Sequence, residues 1–297
     1  MSAETRQSMA YEFFDSDDLQ SHWDKIKEIY TSRHLLRNLV VRDLKVRYKN
    51  SALGIVWSLL NPLLMMLVYT LLFTKLRPDS KDIPYYPVFI LVALVPWQFL
   101  TSSLSNGVEC ITGNAPLIKK VYFPRIILPM AAVLSNFVNF LFAFGLLIVI
   151  LFIARIGLTV HALWVIPLLI AQVIFMLGLI LILSSLNTFY RDVSMILSVV
   201  LLAWFFLTPV FYPFEELGAY AEIWGIGFSP ARVMRWVNPM ASIVDGYRTV
   251  LWGNVPNAGP APMDLLAMLR IFATAILVFL FGYAFFLKTE HLFGEKL

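Results

Sequence analysis

The chain has 297 residues, of which 59% are hydrophobic and 14% are charged, and its formal net charge is +4. Soluble domains are typically about 25% charged, so this chain has too few polar side chains to cover a water-soluble surface. The composition excludes an ordinary soluble globular protein and predicts an integral membrane protein, and the small net charge gives no indication of nucleic-acid binding.

Catalytic and metal-binding motifs are absent from the sequence. It contains one cysteine, Cys110, which excludes an intrachain disulfide and a metal–thiolate cluster, and its four histidines lack the spacing of metal ligands. Neither a GxxxxGK[ST] phosphate loop nor a Gly-x-Ser-x-Gly elbow occurs. We therefore expect no catalytic residue, no metal site and no bound cofactor in this chain.

Residues 1–50 form the first predicted unit, a cytoplasmic segment with two amphipathic helices. The first helix begins near Ser16 and carries Trp23 on an apolar stripe of helical spacing. We expect this helix to lie on the inner membrane surface, with Trp23 at the interface. Packing against a soluble partner is the alternative interpretation.

The second predicted helix precedes the first membrane span. Its polar face carries Arg42, Lys45 and Lys49, and an apolar face combines Leu36, Val40 and Leu44. We place the three cations at the anionic inner leaflet, where positive-inside anchoring alone would also explain them. Asp43 and Arg47 are four residues apart with the acid first, which predicts an ion pair.

Residues 51–297 form the predicted membrane domain. A bilayer core of about 30 Å requires about 20 apolar helical residues. Six stretches qualify: 52–75, 87–106, 127–154, 162–186, 193–212 and 265–287. The placement of Lys and Arg predicts that both termini and the loops near 107–126 and 187–193 face the cytoplasm. The fold class is an all-α protein with six transmembrane helices.

Two regions of the membrane domain are irregular. Asn61-Pro62 predicts a bend in span one and a position among other helices, for which packing alone is a sufficient reason. Prolines at 209, 213, 230 and 239 predict short helices between spans five and six. The last begins with Asn238 as its cap and Pro239 at its first position, and ends before Gly253. It is too short to cross a bilayer, so we predict a re-entrant hairpin.

Aromatic residues make up 15% of the chain. We predict that a subset of these rings on spans one and five, with nearby hydroxyl and amide groups, lines a path across the membrane, although interface belts and core packing would also account for them. The predicted lining residues are Asn61, Tyr69, Phe73, Trp204, Phe205, Thr208 and Tyr212.

Four motifs carry a resemblance to a known family: "RDLKVRYKNSALGIVWSLLNPLLMMLVYTLLF", "GNAPLIKKVYFPRIILP", "NTFYRDV" and "NPMASIVDGYRTVLWG". Together they resemble the permease subunits of type-2 ABC exporters, in particular the branch that exports O-antigen, capsule and teichoic acid. The resemblance covers nearly all of the chain from about residue 30. It implies a homodimer around a central channel, and two separate cytoplasmic ATPase subunits that use ATP and Mg. It also implies a lipid-linked polysaccharide substrate and a location in the plasma membrane.

The second motif resembles the coupling helix that docks into the ATPase. Its basic, cytoplasmic position agrees with that role, with Tyr122 and Phe123 available to fill a pocket in the partner. Positive-inside anchoring by the two lysines is the alternative. The predicted coupling residues are Asn114, Leu117, Lys119, Lys120, Val121, Tyr122 and Phe123.

Two other functions compete with polysaccharide export. The same architecture could export a small hydrophobic drug or lipid. A wide aromatic channel and the two N-terminal amphipathic helices favour the polymer over these substrates. A membrane-embedded glycosyl- or acyltransferase would require acid and base residues that converge at one membrane face. The positions of the histidines and carboxylates do not supply such a group.

Overall fold

A computed structural model describes residues 27–28, 30–49, 51, 53–76, 83–217, 220–223, 226–253 and 259–297. The α-helices are α1 Arg33–Tyr48, α2 Trp57–Leu76, α3 Tyr86–Val108, α4 Ala115–Lys120, α5 Ile127–Ile153, α6 Val165–Phe189, α7 Val193–Leu207, α8 Pro230–Val237, α9 Pro239–Leu251, α10 Leu265–Thr289 and α11 Phe293–Lys296. One short antiparallel hairpin, not foreseen from the sequence, pairs β1 Ala221–Ile223 with β2 Ile226–Phe228. The predicted all-α membrane fold is confirmed.

Five of the helical segments are long and apolar enough to cross a membrane: Trp57–Leu76, Tyr86–Val108, Ile127–Ile153, Val160–Phe189 and Leu265–Lys296. Predicted span five is different, because the corresponding helix α7 has 15 residues and ends at Leu207. Pro209 lacks an N–H group and disfavours helical backbone at the residue before it, and Thr208 is extended. The prediction of one helix through residue 212 is therefore wrong beyond Leu207.

The helices differ strongly in how much of their surface the chain itself covers. Most side chains of α3 are buried between α2, α5, α6 and α9. In α2, by contrast, Pro62 is the one buried residue. Within a single chain α2 is therefore a peripheral helix, and the position among other helices that the sequence predicts for it stays a prediction. The bend residue is buried against the neighbouring helices, while the other α2 side chains are exposed or only partly buried.

Two glycines bring α6 and α10 into backbone contact. A Cβ atom on Gly178 would lie 2.6 Å from the Cα atom of Phe279, and one on Gly282 would meet the backbone of Gly178. Neither backbone can move aside as a flexible side chain could. Small residues at such crossings allow membrane helices to approach closely, which is why these positions require glycine.

The buried apolar side chains form two clusters, a main one around α3 and a second one. The second hydrophobic cluster joins α1 to the segment after α3 and to the C-terminus. Its buried members include Leu39, Ile111, Phe123, Phe286 and Phe293. The apolar side of α1 packs on this cluster, through Leu35, Leu36 and Val40 around the buried Leu39. The predicted apolar face of this helix is thereby confirmed for Leu36 and Val40.

The polar face of α1 is exposed, and Arg42, Lys45 and Lys49 all lie on it. Asp43 forms its ion pair with Arg42, at 2.8 Å between Nη2 and Oδ1. The prediction of a pair between Asp43 and Arg47 is therefore wrong, because the Asp43 carboxylate pairs with the guanidinium of the adjacent Arg42. Trp23 and most of the first predicted amphipathic helix lie outside the described residues.

Candidate functional site

A buried arginine holds the chain where it leaves helical conformation after α7. Arg248, on α9, is only 4% exposed. It donates from Nη1 to the carbonyl oxygens of Pro209 and Tyr212, the latter at 3.2 Å, and from Nη2 to that of Val210. Its guanidinium carbon lies 3.7 Å from the ring centroid of Phe89. Carbonyl groups that no helix pairs require such donors when they are buried.

The start of α9 is tied to the same region. Asn238 caps the helix by accepting from the backbone N–H of Ala241 at 3.1 Å, and Pro239 is the first helical residue. The predicted start of this helix is confirmed. The side chain of Asn238 also donates to Thr208 Oγ1 at 3.0 Å and accepts from Trp204 Nε1 at 2.8 Å. One amide therefore links the end of α7 to the start of α9.

Four rings form what we call the aromatic cluster, made of Tyr69 and Phe73 on α2, Phe205 on α7 and Phe211. The rings of Phe73 and Phe211 are stacked with centroids 4.1 Å apart. Tyr69 lies 4.8 Å from Phe211 and 5.5 Å from Phe205. The Tyr86 hydroxyl donates a hydrogen bond to the backbone carbonyl of Phe211 at 3.0 Å and so holds that residue in place. Offset and tilted ring pairs of this kind are stabilising.

The predicted lining residues are divided between two places. Tyr69, Phe73 and Phe205 belong to the aromatic cluster, and Trp204 lies next to it through Trp97, whose ring is 5.9 Å from that of Trp204 and 5.4 Å from that of Phe205. Thr208 is fully buried and Tyr212 partly buried. Asn61 lies apart from them, exposed in the N-terminal half of α2. The structure therefore gathers the rings in one cluster within the chain, with Asn61 outside it.

Asn61 borders a separate space that we call the polar cavity. It has a volume of about 290 Å³ and lies between the end of α1 and helices α2, α3 and α5. Its lining includes the polar residues Tyr48, Ser58, Asn61, Gln98, Asn136 and Asn139, the rings of Trp57, Phe99 and Phe140, and Arg47. Polar groups at this density are unusual in an otherwise apolar membrane domain.

The predicted coupling segment projects from the helices between α3 and α5. Lys119, Lys120 and Val121 are exposed, and Tyr122 is 80% exposed. Phe123 is the exception, because its side chain is only 8% exposed. Its ring packs into the second hydrophobic cluster, so the expectation that Phe123 is available to a partner is wrong. The buried ring anchors the exposed turn.

Hydrogen bonds connect this segment to α1. Arg42 Nη1 donates to Asn114 Oδ1 at 2.7 Å, and Asn114 Nδ2 donates to the carbonyl of Cys110 at 2.8 Å. Leu117 is partly buried against the second hydrophobic cluster. Burial raises the pKa of the Cys110 thiol well above its usual range, and the nearby negative charge of Asp43 adds to the shift. Within the described residues, no group of three or more His, Cys, Asp or Glu side chains could hold a metal ion.

A family model described as "ABC-2 type transporter" matches residues 34–252. The chain belongs to this family. An O-antigen export system permease protein RfbA of Myxococcus xanthus is 36% identical over 236 residues, which cover 79% of this chain and 87% of that protein. Two proteins of Klebsiella pneumoniae with the same name are 33% identical over 276 residues, covering 92% of this chain and 99% of theirs.

This ABC-2 transporter is a multi-pass membrane protein, as its apolar helices require. Sequence reasoning missed the part that Arg248 plays in its architecture. A sequence feature that could have indicated this role is that Arg248 is the one arginine or lysine between Pro239 and Leu251, in a largely apolar helix. Charged side chains in such surroundings are paired or hydrogen-bonded, but the partners lie about 40 residues earlier in the chain and could not be read from the local pattern.

Proposed function

We propose that the chain is the permease subunit of an ATP-driven exporter that moves a lipid-linked polysaccharide across the plasma membrane. The observation that carries this proposal is the similarity to O-antigen export permeases over nearly the full length of both chains. The sequence contains no phosphate-binding loop, so ATP and Mg would be bound by two copies of a separate cytoplasmic ATPase. The permease itself performs no chemistry.

The exposed face of α1 supports an orientation with both termini in the cytoplasm. Its cations would contact anionic lipid headgroups of the inner leaflet, where each basic residue contributes about 1 kcal/mol. The turn at Lys119–Tyr122 then also faces the cytoplasm and is the proposed docking point for the ATPase. Tyr122 supplies an exposed ring, and the bond between Arg42 and Asn114 connects that point to the membrane surface.

Two copies of the chain would form the translocation path, with α2 as a principal wall. About half of the α2 side chains are exposed within their own chain, and an exposed apolar helix surface faces either lipid or another copy. Sugars could slide past ring faces and tyrosine hydroxyls through many weak contacts, whereas one tight site would stall the polymer. In this arrangement the aromatic cluster forms the part of the path wall that is nearer the outer surface of the membrane.

Crosslinking tests the docking point. The chain would be co-expressed with its proposed ABC ATPase partner, with one cysteine placed at Tyr122. We expect a crosslink between Tyr122→Cys and the ATPase, and none from Leu163→Cys at the opposite end of the helices, which is also exposed. The reverse pattern would invert the proposed orientation, and robust ATP hydrolysis by the purified chain alone would contradict the division into permease and ATPase.

A further inference from the structure

The polar cavity is a second feature of the membrane domain, distinct from the aromatic cluster. The cavity contacts the N-terminal half of α2, while the cluster contacts its C-terminal half. Its volume of about 290 Å³ is near the lower end of the range for small-molecule sites, about 300–1,000 Å³. It therefore has room for one small ring and its substituents, although not for a folded polymer.

The hydrogen bonds around the cavity leave a donor in its wall. The Tyr48 hydroxyl lies 2.5 Å from Ser58 Oγ and donates to Asn139 Oδ1 at 2.5 Å. Among the described residues, the amide nitrogen Nδ2 of Asn139 is buried and has no hydrogen-bond partner. An unpaired buried donor costs about 1–3 kcal/mol, and because Asn139 lines the cavity, a water or ligand group that moved against its amide would remove that cost.

The remaining chemistry of the wall is neutral and amphipathic. Asn61 and Gln98 add amide groups, and the rings of Trp57, Phe99 and Phe140 add apolar surface. Trp57 is 47% exposed, so much of its surface is open to a ligand. Arg47 is the one charged side chain in the lining. A single cation is a weak basis for holding a pyrophosphate, whereas alternating amides, hydroxyls and ring faces match a sugar ring.

We propose that the polar cavity is a binding site for one neutral hexopyranose residue, positioned beside the end of α1. Asn139 Nδ2 would donate to a sugar hydroxyl, Asn61 and Gln98 would exchange further hydrogen bonds, and Trp57 would cover a C–H face of the ring. The choice of a sugar as ligand rests on the proposed function. The site itself rests on the cavity and its unpaired donor.

Protection of a cysteine from labelling tests the site without the ATPase. Ser102 lines the cavity and is exposed, so Ser102→Cys in a Cys110→Ala background gives a reporter in the full-length chain reconstituted in nanodiscs. The probes are the methyl glycosides of mannose, glucose, galactose and rhamnose, with glycine betaine at equal osmolality as the control solute. A probe at about ten times its dissociation constant should slow maleimide labelling about tenfold.

Variants connect the protection to the cavity. We expect Asn139→Leu and Ser58→Ala to weaken or abolish protection, and Leu141→Asn, on the exposed face of the same helix α5, to retain it. Labelling of Tyr122→Cys in the same proteins should be unaffected by every probe, which shows that the fold and the solution conditions are unchanged. Protection that persists in Asn139→Leu would overturn the assignment of the donor.

Three other outcomes would overturn the proposal as a whole. They are a Ser102→Cys that does not react at all, a reporter that reacts but is protected by none of the glycosides, and a reporter protected by inorganic pyrophosphate alone. The last result would identify an anion site in place of a sugar site. None of them affects the crosslink between Tyr122→Cys and the ATPase, so failure of this proposal and failure of the proposed function are distinguishable.

Discussion

The two halves of α2 have opposite surroundings. The half that contains Trp57 and Asn61 borders an open cavity with amide and hydroxyl groups, whereas the half that contains Tyr69 and Phe73 packs into a closed group of rings. The closed half depends on buried contacts with α7 and with the segment that follows it. The difference shows that one apolar span can border a polar cavity with one half and pack into a closed group of rings with the other.

The largest effect is expected when the Arg248 guanidinium, which holds the segment after α7 beside the closed half of α2, is removed. Arg248→Met should leave the two buried carbonyl groups of Pro209 and Val210, and the partly buried one of Tyr212, without their donor. Because each unsatisfied buried group costs about 1–3 kcal/mol, we expect a loss of at least about 2 kcal/mol in unfolding free energy. Thermal or denaturant unfolding in detergent measures it. Arg232→Met, at an exposed position on α8, is the matched control, and equal stability of the two variants would contradict the clamp.

A smaller effect separates a buried ring of the aromatic cluster from an exposed ring at its edge. Phe205 is buried among Tyr69, Trp97 and Phe211, whereas its neighbour Phe206, which contacts Phe205 and Phe211, is 57% exposed. Phe205→Leu should cost about 1–2 kcal/mol through lost volume and ring contacts, and Phe206→Leu should cost less because it loses fewer buried contacts. If the ring also borders the proposed path, Phe205→Leu with Tyr212→Ala should reduce export while the ATPase still co-purifies. Unchanged export would remove the cluster from the path.

The open half should tolerate substitution better. Tyr48→Phe removes a hydroxyl that contacts Ser58 and Asn139 beside the cavity. Because water can replace these contacts in an open cavity, we expect a loss of about 1 kcal/mol or less, measured by the same unfolding experiment. A loss as large as that of Arg248→Met would show that the cavity wall is as closely packed as the aromatic cluster.

The smallest effect concerns labelling of the native thiol of Cys110. Its labelling rate is the background against which any introduced cysteine is measured. The raised pKa of Cys110 keeps the group protonated near neutral pH, and the thiolate is the reactive form. Maleimide labelling of the native chain should therefore be slow and should still be rising at the alkaline end of the usable pH range. Tyr122→Cys provides the fast reference, and rapid labelling of Cys110 at neutral pH would show that this region opens.

Sequence patterns were sufficient for features with a local cause. The Asn238-Pro239 pair specifies the start of α9 through its own cap geometry, and hydropathy located the long helices. The patterns failed where distant residues decide the outcome. Phe123 looked like an exposed ring because its partners, Leu39 and Phe293, lie far away in the chain. The division of the predicted lining residues between a cluster and a cavity likewise depends on how α2 packs against three other helices.

The backbone contact between Gly178 and Gly282 has a mechanical consequence. Two helices whose main chains touch have no side-chain layer to deform at that crossing, so α6 and α10 should resist separate movement there. Apart from Pro62, the side chains of α2 are exposed or only partly buried. If the proposed path widens during transport, we therefore expect displacement of α2 to account for more of the change than relative movement of α6 and α10.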